Sequence, residues 1–285
     1  METDSESIDE TVSGEGVGPM TPAEEPMDAT DDGIIIYPNP EKTGQFRLGE
    51  EEYMPMSSSR ILLSGMPGSG KRNMILTILQ RMKPPPSAVH LVHCDPGTTE
   101  YDCIHESGIP LIVYDPVDFP ALANIEKPDI DDGADESDKE GAGVENEDSS
   151  DDGPKKPLQN PLVIVDEVTT EQLKGEGAKR FERLVNHVAT HRNTTVMCSI
   201  QSLLNIPPKC RRAFNHFVLW PQTDGEVNKM VARRAGIKPE VLDDLFQACR
   251  NKYDNIWVDT DADEGSLWRY RRNLMSPITV SGPGG

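Results

Sequence analysis

The 285-residue chain carries a net charge of −21, with 24 prolines and 23 glycines, and its length suits one large α/β domain or two small domains. Taken whole, this charge argues against a nucleic-acid partner. Most of it lies in two stretches, however, since residues 1–52 and 126–156 carry net charges of −13 and −9, and the rest of the chain is close to neutral.

The two acidic stretches are poor in aromatic residues and rich in Asp, Glu, Gly, Ser and Pro. They cannot bury enough apolar surface to offset the entropy that ordering would cost. We therefore expect an acidic disordered N-terminal segment at 1–45, an acidic disordered insertion at about 126–157 and a flexible C-terminal tail at 276–285. The acidic segments serve solubility and spacing, mimic DNA, or tether a basic partner.

The first half of the folding region alternates strands with helices. Residues 60–64 are an apolar run that ends at a glycine-rich turn, and residues 73–82 place apolar side chains at helical spacing. Three prolines at 84–86 end that helix because proline lacks the amide donor. Further apolar runs predict strands at 88–92 and 110–114.

The second half continues this alternation beyond the acidic insertion. Most strands are apolar throughout, which is typical of parallel strands that helices cover on both faces. The sequence therefore predicts one α/β domain over 46–275, a mostly parallel sheet flanked by helices. The predicted elements are strands at 162–165, 194–200 and 216–220, helices at 171–190, 224–235 and 239–252, and paired strands at 255–259 and 267–270.

A glycine-rich loop joins the first strand to the first helix. Its spacing lets backbone amides curl around a phosphate at a helix N-terminus while a lysine reaches the terminal phosphates, as in a P-loop that binds ATP. A chance glycine-rich turn is the alternative. The predicted nucleotide contacts are Gly65, Met66, Pro67, Gly68, Ser69, Gly70, Lys71 and Arg72.

Arg72 departs from the P-loop pattern, because a Ser or Thr usually follows the lysine and helps to hold magnesium. Two interpretations stay open. In one, Arg72 adds a phosphate contact while water completes the magnesium shell. In the other, the site binds nucleotide and turns it over slowly.

The strand at 162–165 delivers two carboxylates at its carboxyl end, where ligands bind in open α/β sheets. Asp166 is the predicted magnesium ligand, directly or through water. Glu167 is suited to polarise the attacking water as a general base. The alternative is an acidic pair that caps the next helix. Gln201 ends another strand and is a candidate contact to the γ-phosphate or its water, or a turn cap.

Together these motifs resemble those of viral genome-packaging ATPases of the FtsK/HerA superfamily, the poxvirus-type and adenovirus-like branch. The resemblance covers about 60–275 and rests on the P-loop, the strand with two carboxylates, and the blocks at 191–207 and 213–219. The ending at 268–273 looks like the terminal segment of the family. The P-loop is generic, whereas the strand that ends in Gln201 and the strand after it select this branch.

The resemblance implies an additional-strand P-loop NTPase fold, similar to RecA and FtsK/HerA, and an ATPase that uses ATP and Mg²⁺. It also implies a homo-oligomeric ring, a pentamer or hexamer, that threads double-stranded viral DNA into a preformed capsid, with capsid or portal proteins as partners. Lys71, Asp166, Glu167 and Gln201 then act as phosphate ligand, magnesium ligand, catalytic base and sensor. Arg72 and the acidic insertion lie outside the family pattern.

Basic residues supply candidate contacts to a neighbouring subunit and to DNA. Arg211 and Arg212 are candidate arginine fingers for a neighbour's nucleotide, or part of a solvated basic turn. Arginines at 233–234 and 269–272 are candidate phosphate contacts along a DNA path, or ordinary surface charge.

Five scattered cysteines without a CxxC pair indicate reduced thiols in an intracellular protein. Histidines and cysteines between 90 and 105 suggest zinc, but their spacing matches no zinc signature, and we favour a strand end with small buried cysteines. No apolar run reaches the ~20 residues of a membrane span. We therefore expect a soluble protein inside the host cell, in the nucleus or a viral factory, or associated with the virion.

Two functions from different classes stay open. The first is a packaging ATPase that couples ATP hydrolysis to DNA translocation. The second is a nucleotide-binding regulatory or assembly protein with little or no turnover. A small-molecule kinase is disfavoured because Glu167 suits water activation and no lid motif is evident.

Overall fold

A single mixed sheet lies at the centre of the fold. The described residues all belong to one compact unit, Thr43–Gly285. The acidic N-terminal segment at 1–45 and the acidic insertion at 126–157 lie outside the described residues. The computed structural model describes residues 46–121, 125, 160–173, 175–191, 193–202, 205–221 and 225–280.

Nine strands form this sheet in the part of the chain that the structure describes. Most come from the apolar, β-branched runs that the sequence marks as strands, because such side chains pack well on a pleated surface. The strands are β1 (Arg60–Ser64), β2 (Val89–His93), β3 (Leu111–Tyr114), β4 (Leu162–Asp166), β5 (Thr195–Ile200), β6 (His216–Leu219), β7 (Ile256–Asp259), β8 (Tyr270–Arg272) and β9 (Ser276–Pro277).

Helices connect and cover these strands. A π-helical turn at Leu184–Val188 joins the helix at Gly175–Arg183 to the helix at Ala189–His191. None of the helices among the described residues is long and apolar enough to cross a membrane. They are α1 (Lys71–Arg81), α2 (Asp102–Glu106), α3 (Gly175–Arg183), α4 (Ala189–His191), α5 (Gly225–Ala235) and α6 (Pro239–Phe246).

The strand order is β3-β2-β4-β5-β1-β6-β7-β8-β9. Strands β1 to β6 pair in parallel, and β7, β8 and β9 add to them in antiparallel pairs. Strand β5 therefore lies between β1, which leads into the P-loop, and β4, which carries the two carboxylates. This arrangement confirms the predicted α/β fold with an additional strand and a mostly parallel sheet.

Parallel pairing brings the carboxyl ends of the central strands to one edge. Ser64 pairs with Ile200, and Asp166 pairs with both Ser199 and His93. The P-loop, the acidic pair and Gln201 all follow these strand ends, so three segments that are distant in sequence meet at one place.

Two apolar clusters cover the two faces of the sheet. Because side chains alternate along a strand, Leu62 lies in one cluster, whereas Ile61 and Leu63 lie in the other. Helix α3 contributes Phe181 to the first cluster, and helix α1 contributes Ile78 to the second. Burial on both faces explains why the parallel strands are apolar along their whole length.

Helix α6 ends at Phe246, six residues before the end that the sequence predicts. The following residues form a turn because one carboxylate oxygen of Asp254 accepts hydrogen bonds from the amides of Arg250 and Asn251 at 2.7 and 3.3 Å. The helix predicted to begin at 171 begins at Gly175 instead.

The C-terminal strands also differ from the sequence prediction. Strand β8 begins at Tyr270 rather than 267, because Arg269 closes a turn by donating its amide to the Ser266 carbonyl. Part of the predicted flexible tail is ordered by pairing: β9 pairs with β8, and the Ile278 amide donates to the Tyr270 carbonyl at 2.8 Å. Residues 281–285 lie outside the described residues.

His90 is a titratable side chain in the middle of β2 with no exposed surface. Its Nδ1 lies 3.1 Å from the Tyr114 hydroxyl on the neighbouring strand. Burial disfavours the charged ring and lowers the pKa of His90 from 6.5 to about 4. The unfolded chain therefore takes up this proton first, so stability is fully present above pH 6.5 and falls as the pH drops through the window from 6.5 to about 4.

A His90→Gln variant, which cannot take up this proton, is expected to show a weaker loss of stability in acid. Between pH 7 and pH 5 the wild-type free energy of unfolding should fall by about 2 kcal/mol more than that of the variant. Urea denaturation at both pH values measures the difference. If the free energies of unfolding of the two proteins fall equally between pH 7 and pH 5, His90 is not a buried neutral ring.

Candidate functional site

The P-loop connects β1 to α1 over residues 65–70 and turns sharply toward the helix. The Gly65 amide donates to the Ile200 carbonyl at 3.2 Å, which fixes the start of the loop on β5. Gly68 and Gly70 have φ values of 70° and 100°, in the left-handed region that favours glycine. The curved backbone therefore ends at the N-terminus of α1, where helix amides and the helix dipole favour an anion.

Two aromatic residues that sequence reasoning did not identify lie against this loop. A Cβ atom on Gly65 would lie 3.1 Å from Trp220 atoms and 2.7 Å from the Ser69 hydroxyl, so the loop passes too close to Trp220 for a larger residue. The exposed Tyr253 ring would lie 3.6 Å from a Cβ on Gly70. Neither residue lies in a sequence motif. Trp220 follows β6 and Tyr253 precedes β7, so only the order of the strands in the sheet brings them to the loop.

Lys71 is buried, with 5% of its surface exposed, at the first position of α1. Its Nζ donates to the carbonyls of Gly65 and Met66 at 2.9 and 3.1 Å and lies 3.0 Å from Glu167 Oε1. These three acceptors match the three donors of an ammonium group. The charge of Lys71 is thus compensated by the loop and by the second residue of the acidic pair.

Glu167 occupies the turn immediately after β4. Its φ of 55° is unusual for a residue other than glycine, and such strain is concentrated at functional sites. Its amide donates to the Ser199 carbonyl at 3.0 Å. While Oε1 pairs with Lys71, Oε2 accepts a hydrogen bond from Gln201 Nε2 at 3.2 Å. The structure therefore brings together the three residues that the sequence predicts as catalytic.

Asp166 is 1% exposed and is surrounded by hydrogen-bond donors. Its Oδ2 accepts from the Tyr101 hydroxyl at 2.9 Å and from Arg72 Nη2 at 3.2 Å, and His93 Nε2 lies 3.8 Å away. The other terminal nitrogen of Arg72 pairs with the Glu100 carboxylate. The negative charge of Asp166 is therefore neutralised by Arg72, which lies in the helix that follows the P-loop.

Tyr101 and Arg72 both keep their protons in this setting. Burial and the nearby Asp166 charge raise the pKa of Tyr101, so its hydroxyl stays a donor. Burial lowers the pKa of Arg72, but the opposing effects of Asp166 and Tyr101 are larger together, and the net pKa is raised. The Arg72 guanidinium also lies 5.4 Å from the centre of the Tyr101 ring, a cation–π arrangement.

The surroundings of Asp166 test whether the residues present fit magnesium. Mg²⁺ requires octahedral oxygen ligands at ~2.0–2.1 Å and is commonly held by one or two carboxylates with phosphate oxygens. Here Arg72 replaces the usual hydroxyl, and donors rather than free oxygens lie against Asp166 Oδ2. These residues do not fit a magnesium ion that Asp166 coordinates directly. A magnesium ion that Asp166 holds through water stays a prediction.

The candidate arginine fingers lie away from this chain's own P-loop. Both precede β6, whereas the nucleotide site follows the opposite ends of the parallel strands. Arg211 is partly exposed, and its Nε donates to the Ile206 carbonyl at 3.0 Å. Arg212 is exposed. Their role toward a neighbouring subunit stays a prediction.

Two arginines of the candidate DNA path are buried, which corrects that hypothesis for them. Arg269 is 8% exposed and donates to the carbonyls of Ala262 and Ala235. Arg271 is 1% exposed and lies 4.6 Å from the Trp257 ring centre. Pairing of β8 with β7 places Arg271 opposite Trp257, whereas Arg269 lies in the turn before β8. The exposed arginines at 233–234 and the partly exposed one at 272 stay candidates.

The histidine and cysteine region does not form a metal centre among the described residues, which contain no group of three or more His, Cys, Asp or Glu side chains placed to hold an ion. Cys94 is exposed, so the expectation of a buried cysteine at this strand end was wrong, and Cys103 on α2 is exposed as well. His93 accepts a hydrogen bond from the Asp95 amide at 3.0 Å, which ends β2.

Comparison with solved structures finds overlaps at low sequence identity. The genome-packaging NTPase B204 from Sulfolobus turreted icosahedral virus 2, in complex with sulfate, is 12% identical with a TM-score of 0.48, over 78% of this chain and 98% of that chain. The DNA-packaging ATPase B204 from Sulfolobus Turreted Icosahedral Virus is 10% identical with a TM-score of 0.46, over the same shares.

The cytoplasmic domain of the type VII secretion ATPase EccC from Thermomonospora curvata is 14% identical with a TM-score of 0.45, over 91% of this chain and 31% of that chain. No protein-family profile and no curated protein sequence matches the chain. At these identities and TM-scores the overlaps carry no functional argument.

A Tyr101→Phe variant is expected to be less stable than the wild type by about 1–3 kcal/mol, because Asp166 loses a donor in a buried position. Chemical denaturation measures this change. Tyr253→Phe is the matched control, since Tyr253 is 57% exposed, and its effect should stay within about 0.5 kcal/mol. Equal effects of the two substitutions would show that the hydroxyl of Tyr101 does not support Asp166.

Proposed function

We propose that this chain is a viral DNA-packaging ATPase that couples ATP hydrolysis to the movement of double-stranded DNA into a preformed capsid. One observation carries the proposal. Lys71, Glu167 and Gln201, from three separate segments, meet at the carboxyl ends of β1, β4 and β5, next to a glycine-rich loop at a helix N-terminus. A phosphate-binding cation beside a carboxylate and an amide is suited to hydrolysis of a terminal phosphate.

The contacts of Lys71 suggest how nucleotide binding activates the site. All three donors of its ammonium are used by the loop carbonyls and by Glu167. Phosphate oxygens must replace at least one of these partners. Transfer of Lys71 to phosphate releases Oε1 of Glu167, which then accepts a proton from the attacking water as a general base.

Gln201 acts as the positioning residue for Glu167 in this scheme. Its amide nitrogen holds the second carboxylate oxygen at 3.2 Å and can stay there while the first oxygen is released. Gln201 directly follows β5, the strand that lies between β1 and β4. The coupling of hydrolysis to motion is expected to begin at this contact.

The DNA-directed part of the proposal is supported by the resemblance of the motifs and by the charge distribution. The folding part is near neutral once the acidic stretches are set aside, and exposed arginines remain at 233–234. Phosphate contacts of this kind need charge but do not read sequence. We further propose a ring of five or six subunits that binds capsid or portal proteins, in the nucleus, a viral factory or the virion.

A regulatory or assembly protein that binds nucleotide with little turnover is the second candidate. It is favoured by one observation, the pairing of Arg72 with Asp166, which takes up the carboxylate that would otherwise face magnesium. The rate of ATP hydrolysis distinguishes the packaging ATPase from the regulatory protein, whereas both are expected to bind nucleotide.

ATP hydrolysis with and without double-stranded DNA tests the proposal. We expect DNA to stimulate wild-type hydrolysis, and Glu167→Gln to lower kcat by at least about 100-fold because the general base is lost. The exposed Glu176→Gln is the matched control and should leave the rate unchanged. Turnover that ignores both DNA and Glu167 would refute the motor, and bound but unhydrolysed ATP in the wild type would favour the regulatory protein.

A second test addresses the neighbouring subunit. Arg212→Ala is expected to lower kcat by roughly 1,000-fold without weakening nucleotide affinity, because an arginine finger acts on the transition state of the neighbour. Arg211→Ala is the comparison, since its Nε already donates within its own chain. If Arg212→Ala has no more effect on hydrolysis than Arg211→Ala, Arg212 is not the finger.

A further inference from the structure

Arg72 lies in the first turn of α1, directly after the P-loop lysine. Its guanidinium lies between two carboxylates, with Nη2 3.2 Å from Asp166 and Nη1 paired with Glu100, and it packs over the Tyr101 ring. Three groups, one from β4 and two from the segment before α2, thus fix this cation of α1 beside the loop. Such a network is a built feature rather than a solvated surface charge.

The guanidinium retains hydrogen-bonding capacity in this position. It has five N–H donors in a rigid plane. Its Nε is buried and has no hydrogen-bond partner among the described residues. An unmade hydrogen bond of a buried donor is costly, so the guanidinium keeps one unused donor beside its two ion pairs.

The charge of Arg72 matters because it differs from the neutral hydroxyl that is usual at this position. A P-loop usually places a hydroxyl here, as a magnesium ligand. This chain places a permanent positive charge there instead, and that charge already neutralises Asp166. A magnesium ion that reached Asp166 directly would meet the like charge of Arg72, which already pairs with Oδ2.

We propose that Arg72 takes over the charge compensation that a divalent cation supplies elsewhere, and that the site binds nucleoside triphosphate with little dependence on magnesium. The inference rests on the proposed function in one respect, namely that the ligand is a nucleotide. Lys71 and the N-terminus of α1 supply the positive potential for the phosphates, and Arg72 supplies the positive charge at Asp166, where a divalent cation would otherwise lie. Asp166, Glu100 and Tyr101 act as positioning residues that hold the guanidinium.

Arginine suits this task better than lysine would. Its planar fork forms parallel hydrogen bonds to two anionic groups at once, and it keeps its charge when partly buried. In this site the guanidinium already spans Asp166 and Glu100. A lysine at the same position is a point charge and lacks the planar fork that spans the two carboxylates.

Calorimetric titration of the full chain with the non-hydrolysable analogue AMP-PNP tests the inference, in magnesium chloride and in excess EDTA. We expect the wild-type Kd to differ by less than about threefold between the two buffers, below the effect of one lost charge-assisted hydrogen bond. This comparison needs no variant, so it stays decisive even if substitutions at position 72 disturb folding.

Arg72→Thr restores the usual hydroxyl and is expected to make binding depend on magnesium, with a Kd at least about tenfold weaker in EDTA than in magnesium chloride. Arg81→Thr removes an arginine from the last turn of the same helix and serves as the matched control. It should keep the wild-type ratio of the two Kd values. Circular dichroism confirms that both variants are folded.

The possible results separate this inference from the proposed function. If the wild type binds AMP-PNP only with magnesium, the role of Arg72 is refuted while nucleotide binding stands. If the wild type binds AMP-PNP in neither buffer, the proposed function fails and the inference fails with it. If Arg72→Thr keeps the magnesium independence of the wild type, the charge compensation does not come from Arg72.

Discussion

The contact between Lys71 and Glu167 is the constraint around which the site is organised. An ammonium that is 95% buried needs an opposite charge, since an isolated charge in a protein interior is strongly disfavoured. Glu167 meets this need only because β5 separates β1 from β4 by one strand and the parallel register aligns their carboxyl ends. The left-handed turn at Glu167 completes the approach to 3.0 Å.

A second ion pair lies beside the first and differs from it in kind. Lys71 interacts with loop carbonyls that phosphate can replace, whereas Arg72 spans two carboxylates and a tyrosine ring. The first cation is therefore expected to move on nucleotide binding, and the second to stay in place. This division explains how a chain without the usual hydroxyl after the P-loop lysine retains a coherent phosphate site.

Much of the fold and part of the site could be predicted from the sequence, because the motifs carry local rules. Glycine spacing predicts the loop around Lys71, and apolar strands followed by polar side chains predict that Glu167 and Gln201 both lie near the nucleotide. Tyr101 could not be found this way, since it reaches Asp166 only through the pairing of β2 with β4. The burial of Arg271 likewise depends on its place opposite Trp257, because the sequence predicts that these two strands pair but ends the second strand at 270.

When a nucleotide binds, Lys71 is expected to exchange Glu167 for the phosphates. A crystal or cryo-EM structure of the chain with AMP-PNP tests this exchange. We expect Lys71 Nζ within about 3 Å of a phosphate oxygen, with Oε1 of Glu167 released and Gln201 still bound to Oε2. A nucleotide bound away from the loop, or a Lys71 that keeps its contact with Glu167 while phosphate is bound, would contradict it.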